Sequence, residues 1–102
     1  MKQFILTSDS RADLDSIWVY VAERSSPETA AEFLCQIEDV FLSLAGNPSM
    51  GIRFPDAPNP DTRKFPMGNY LIYYQPKRGG VRIERVIHGK RQQFRALRHR
   101  PK

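Results

Sequence analysis

The chain is poor in the residues that metal and redox chemistry need. Cys35 is its single cysteine, and His88 and His99 are its two histidines. One thiol excludes an internal disulfide framework, which fits a reducing cytoplasm. No base is placed beside Cys35, so a packed or half-exposed thiol is expected there, not a nucleophile. Neither histidine stands at metal-ligand spacing, and no metal or other cofactor is expected. Phosphate-loop glycines, the dinucleotide fingerprint and the nucleophile elbow are all missing. No apolar run is long enough to span a bilayer, and Phe4-Ile5-Leu6 stops at Thr7-Ser8-Asp9 without forming a secretory leader. No membrane is therefore expected as a partner.

Acid is scarce in the last quarter. From Lys77 onward every side chain charged at neutral pH is basic except Glu84, and the whole chain carries +5 with a pI near 9.7. A basic face implies an anionic partner, nucleic acid or an acidic protein; the plainer reading is a solvated face that aids solubility. At 102 residues and 40% hydrophobic content, one domain over 1–102 with one modest core is expected.

Lys2 to Thr7 reads as a first strand. Ser8 or Asp9 is expected to cap a helix, with Asp13 adding negative charge near its start. Leu14, Ile17, Trp18 and Val21 then fall at i, i+3, i+4 and i+7, with Trp18 as a core anchor. Ser25-Ser26-Pro27 ends this helix and begins another, with Ser26 as cap and Pro27 at the first helical position. Ala30, Phe33, Leu34, Ile37, Phe41 and Leu44 form the second apolar stripe, which Gly46-Asn47-Pro48 stops. So short a connection predicts an antiparallel helical hairpin.

Prolines 48, 55, 58 and 60 with Gly51 predict a loop from Pro48 to Pro60. Strand character returns at Arg63-Lys64-Phe65-Pro66. It continues after Gly68-Asn69 in Tyr70-Leu71-Ile72-Tyr73-Tyr74-Gln75-Pro76, and again in Val81-Arg82-Ile83-Glu84-Arg85-Val86-Ile87. A short helix over residues 92–97 and a loose end complete the chain. The predicted class is α+β: an N-terminal strand, an antiparallel helical hairpin, and a three-stranded antiparallel meander that completes a small sheet.

The last strand delivers His88, Lys90 and Arg91 together around Gly89. Polar donors at the end of an apolar hairpin are candidates for binding or for acid–base work. Metal-free RNA cleavage needs one group to take a proton, one to support phosphorane charge and one to protonate the leaving oxygen. His88 bonded to backbone or to the tail is the alternative. Arg53 could reach a target or simply be solvated. Arg85 shares parity with Val81, Ile83 and Ile87, which are expected inside. It therefore has to meet a wet groove at the end of the sheet or pair with a carboxylate of the first helix.

Several segments together resemble the ParE/RelE superfamily of bacterial toxins from two-gene toxin–antitoxin systems. They are Ala12 to Tyr20, Ala30 to Phe41 with Leu44-Ala45-Gly46-Asn47-Pro48, Gly51-Ile52-Arg53, Arg63-Lys64-Phe65-Pro66, Tyr70 to Tyr74, and above all Arg85-Val86-Ile87-His88-Gly89-Lys90-Arg91. The resemblance implies a small basic toxin in a hetero-oligomer with an acidic antitoxin that wraps it.

One branch, RelE-like, cuts mRNA in the ribosome; the other, ParE-like, inhibits DNA gyrase. RelE-like nucleases often carry arginine where this chain has Leu71, and a tyrosine near the C-terminus. Phe94 and Leu97 stand in this tail, and neither can hold a phosphate or move a proton. Those departures favour a gyrase inhibitor, with Arg53, Arg63, Arg85, His88, Lys90 and Arg91 as target-contact or sheet-organising residues. If the chain is instead a ribonuclease, Arg63, His88 and Arg91 are the catalytic candidates. A non-toxic, antitoxin-binding module is the third reading.

Overall fold

The computed structural model describes residues 3–89. Lys90, Arg91 and the helix expected over 92–97 lie outside the described residues. The elements are β1 (Gln3–Leu6), α1 (Ser8–Arg24), α2 (Pro27–Gly46), β2 (Ile52–Arg53), β3 (Arg63–Met67), β4 (Tyr70–Lys77) and β5 (Gly80–His88), with a 3-10 turn at Pro48–Met50. The strands form one sheet in the order β1-β5-β4-β3-β2. β1 runs parallel to β5, and the other pairs are antiparallel. The expected α+β arrangement is present.

Both helices pack on one face of the sheet. Their core joins Leu14 and Ile17 of α1, Ile37, Phe41 and Leu44 of α2, and Ile72, Tyr74, Val81, Ile83 and Val86 of the sheet. Burying one such large side chain is worth about 1.5–3 kcal/mol, which outweighs any propensity difference along the helices. Ser26 and Pro27 begin α2 as expected: the Ser26 hydroxyl accepts from Thr29 N–H at 3.0 Å.

Four expectations need correction. The cap of α1 is Thr7, not Ser8 or Asp9, and its hydroxyl accepts from Ser10 N–H at 3.0 Å. That hydroxyl also donates to the Glu84 carbonyl at 2.9 Å, so tertiary contact selects the cap. Trp18 is 38% exposed and is no core anchor. The buried stripe is centred on Ser10, Leu14 and Ile17, one step round the helix, which leaves Trp18 at its margin. The segment expected as loop from Pro48 to Pro60 contains the 3-10 turn and β2, because Ile52 and Arg53 pair with Lys64 and Arg63.

The fourth correction concerns parity in β5. Tyr73 pairs with Arg85 while Tyr74 pairs with Ile83, so Glu84 is an extra residue, a β-bulge. The bulge shifts the alternation by one. Val81, Ile83 and Val86 face the helices, while Ile87 joins a second cluster with Phe54, Ala57 and Tyr73. At the start of β5 a Cβ on Gly80 would overlap the Gln3 carbonyl, so glycine lets β1 lie alongside. Gly79, at φ +80°, makes the tight turn before it.

Candidate functional site

β1 ends at Leu6, but β5 continues to His88 and needs a partner beyond that point. α1 supplies it. Asp13 Oδ2 accepts from Val86 N–H at 2.9 Å, where a neighbouring strand would otherwise bond. The same carboxylate takes both arms of Arg85, Nε to Oδ2 at 2.8 Å and Nη2 to Oδ1 at 2.9 Å. The bond to Asp13 raises the Arg85 pKa, against the opposing effect of burial. Of the two placements open to Arg85, pairing with a carboxylate of the first helix is the one found. Its guanidinium is engaged in holding the bulged strand to α1.

Arg63 and Arg53 are cross-strand partners on β3 and β2. Arg63 Nη1 donates to the Gly51 carbonyl at 2.7 Å. The Gly51 N–H donates in turn to the Tyr74 hydroxyl at 2.8 Å, and that hydroxyl donates to the Pro48 carbonyl at 2.6 Å. Burial raises the Tyr74 pKa, opposed by the Gly51 bond and by the charge of Arg63. This clamp ties the chain leaving α2 to the sheet, and Arg63 belongs to it. Arg53 is exposed.

His88 lies at the opposite end. It pairs in register with Tyr70 and meets that ring edge-on, with centroids 5.3 Å apart. Phe33 of α2 lies 5.8 Å from the same tyrosine ring. Counting residues and strands, the Arg63 and His88 backbones are roughly 16 Å apart. Thus Arg53 with Arg63, Arg85 with Asp13, and His88 with Tyr70 form three separate groupings. Lys90 and Arg91 lie outside the described residues. Among those described, no three His, Cys, Asp or Glu side chains gather as a metal site, and no helix is long and apolar enough to cross a membrane.

Charge separates by layer. The helices carry Asp9, Asp13, Asp15, Glu23, Glu28, Glu32, Glu38 and Asp39 against Arg11 and Arg24. Residues 47–89 carry Arg53, Arg63, Lys64, Lys77, Arg78, Arg82 and Arg85 against Asp56, Asp61 and Glu84. Sequence reasoning missed Asp13 as the strand-edge acceptor, Glu84 as the bulge and Tyr73 as a buried phenol. Only Asp13 had a signal: an arginine within an apolar strand calls for a carboxylate, even though the bulge puts Arg85 on the opposite alternation from the one expected.

Fold and site define a small basic protein with a helical brace on one side of a sheet and cations concentrated on the sheet layer. The comparisons place it more narrowly. The family described as "ParE toxin of type II toxin-antitoxin system, parDE" matches residues 4–93, and the chain belongs to it. Toxin ParE1 of Caulobacter vibrioides is 34% identical, over 86% of this chain and 90% of that protein. Toxin ParE1 of Mycobacterium tuberculosis H37Rv is 26% identical, over 84% of this chain and 88% of that protein. A solved structure titled "Chromosomal ParDE TA system from P. aeruginosa" shares the fold, with a TM-score of 0.71 at 21% identity, covering 86% of this chain and 96% of that one.

Proposed function

We propose that this chain stops growth by inhibiting DNA gyrase in the cytoplasm and that an acidic cognate antitoxin neutralises it. Family membership supports the toxin role. The observation that carries the choice of target is the separation of Arg63 from His88. A metal-free ribonuclease needs its proton carriers and its charge-stabilising group within about 3 Å of the reacting atoms. Here Arg63 is bonded to the Gly51 carbonyl, and His88 sits against Tyr70 at the other end of the sheet. Leu71, where the nuclease branch often has arginine, packs against the second apolar cluster.

The test is a supercoiling assay with purified protein and gyrase, run beside induced expression with a DNA-damage reporter. Blocked supercoiling and growth arrest with damage signalling are expected. Cleaved messages on stalled ribosomes with gyrase untouched would transfer the chain to the nuclease branch. Unimpaired growth would make it an antitoxin-binding module.

A further inference from the structure

The sheet face turned away from the helices has its own small core: Phe54, Ala57, Tyr73 and Ile87, with Leu71 against them. Its cover is the segment from Phe54 to Thr62. Phe54 and Ala57 are the buried side chains between Arg53 and Asp61. Pro55, Pro58 and Pro60 withhold backbone donors there. The backbone bonds of the segment close it on itself: Phe54 N–H to the Thr62 carbonyl at 2.8 Å, Ala57 N–H to the Phe54 carbonyl at 3.0 Å, and Thr62 N–H to the Asn59 carbonyl at 3.0 Å.

Under this cover the Tyr73 hydroxyl is fully buried and has no hydrogen-bond partner among the described residues. The Phe54 ring, 5.4 Å away between centroids, excludes water from Tyr73 but offers no acceptor. An apolar anchor that brought an acceptor with it would fill the place better than Phe54 does. The surroundings select a negative one. The Lys64 ammonium stands 5.0 Å from the Phe54 ring centroid, and Lys64 and Tyr73 are cross-strand partners. Arg82 shares this face, bonded to Gln75 and Glu84.

We propose that the Phe54–Thr62 segment is a displaceable cover and that the sheet face beneath it docks an acidic protein segment. An aromatic or leucine anchor replaces Phe54, and a carboxylate accepts from Tyr73 and pairs with Lys64. Nucleic acid fits less well. With Phe54 displaced, Tyr73 is the one aromatic ring among Ala57, Ile87 and Leu71, too little for a platform on which successive bases stack. The inference goes beyond the choice of toxin target and stands or falls separately from the supercoiling result.

The probes are the capped peptide Glu-Asp-Trp-Glu-Asp, its alanine-centred analogue and a thymidine oligonucleotide, each titrated against the full chain. Phe54→Ala removes the displacement step and is expected to bind the tryptophan peptide about ten-fold tighter than the wild type. Tyr73→Phe in that background is expected to lose three- to ten-fold for one hydrogen bond, and Lys64→Glu to lose binding altogether. Equal affinity for the two peptides, or indifference to Phe54→Ala and Lys64→Glu, would overturn the proposal. Preferential binding of the oligonucleotide would also overturn it, in favour of nucleic acid. Hydrogen exchange on the wild type guards against a misfolded variant. The Ala57 and Thr62 amides, bonded within the cover, should exchange through local opening while those of β4 and β5 stay protected. Exchange of both only through global unfolding would overturn the cover.

Discussion

At the scale of single residues, the two adjacent tyrosines of β4 show how one alternation produces opposite roles. Tyr74 faces the helices, where its hydroxyl is fully used between Pro48 and Gly51. Tyr73 faces the other way, and its hydroxyl has no hydrogen-bond partner among the described residues. Burial pushes the Tyr73 phenol up to about 12 from an ordinary 10.0. Between those values the unfolded chain has released the proton and the folded chain still holds it, so stability falls as pH rises through this window. The slope approaches about 1.4 kcal/mol per pH unit for one such group. Tyr73→Phe should remove this contribution. Denaturant melts from pH 9 to pH 12 are expected to show a shallower decline for the variant. They should also show equal or greater stability at neutral pH, because an unpaired buried hydroxyl costs about 1–3 kcal/mol. A variant that is less stable at neutral pH with an unchanged alkaline slope would mean that the phenol is satisfied.

At the scale of elements, the junction of β1, α1 and β5 is tied by side-chain bonds from both Thr7 and Asp13 to the backbone of β5. Thr7 caps α1 and bonds β5 twice, through its hydroxyl to Glu84 and through its N–H to the Ile83 carbonyl at 3.2 Å. Ser26 caps α2 on the surface, where its hydroxyl bonds Thr29 within the same turn and no strand. Thr7→Ala should therefore cost about 2 kcal/mol and Ser26→Ala about 1 kcal/mol, read as shifts in urea midpoint. Asp13→Ala should cost more than Arg85→Ala, because it strands both a guanidinium and the Val86 N–H, whereas removing Arg85 leaves that N–H bonded. Equal losses in either comparison would refute the weighting. The helices, the meander and the Ser26-Pro27 start were legible because period, caps and turns are local signals. The Thr7 cap, β2 and the bulge at Glu84 were not, since each depends on a partner distant in sequence. Trp18 fell at the right spacing but on the wrong side of the stripe, because Ser10 occupies a buried place that composition assigns to an apolar residue.

At the scale of the whole molecule, the basic C-terminal half could be read directly from the sequence, but not the layering of charge. The acids of α1 and α2 are strung between the strands in sequence, and only folding gathers them on one side of the sheet. The candidate site fared likewise. Its residue types were visible, while their division into three separate groupings was set by strand register. A molecule so polarised should meet an acidic partner sheet-side first, because attraction and repulsion act on opposite faces during approach. Lys77 and Arg78 stand at the tip of the β4–β5 turn, exposed, and outside the clamps that hold Arg63 and Arg85. Reversing both to glutamate should slow association with the cognate antitoxin about ten-fold at low salt and leave dissociation nearly unchanged. At about 1 M salt, where screening extends only about 3 Å, the two association rates should converge. Stopped-flow mixing across a salt series measures this. A deficit that persists at high salt, or one that appears in dissociation, would place the turn inside a bound interface and end its assignment as a steering element.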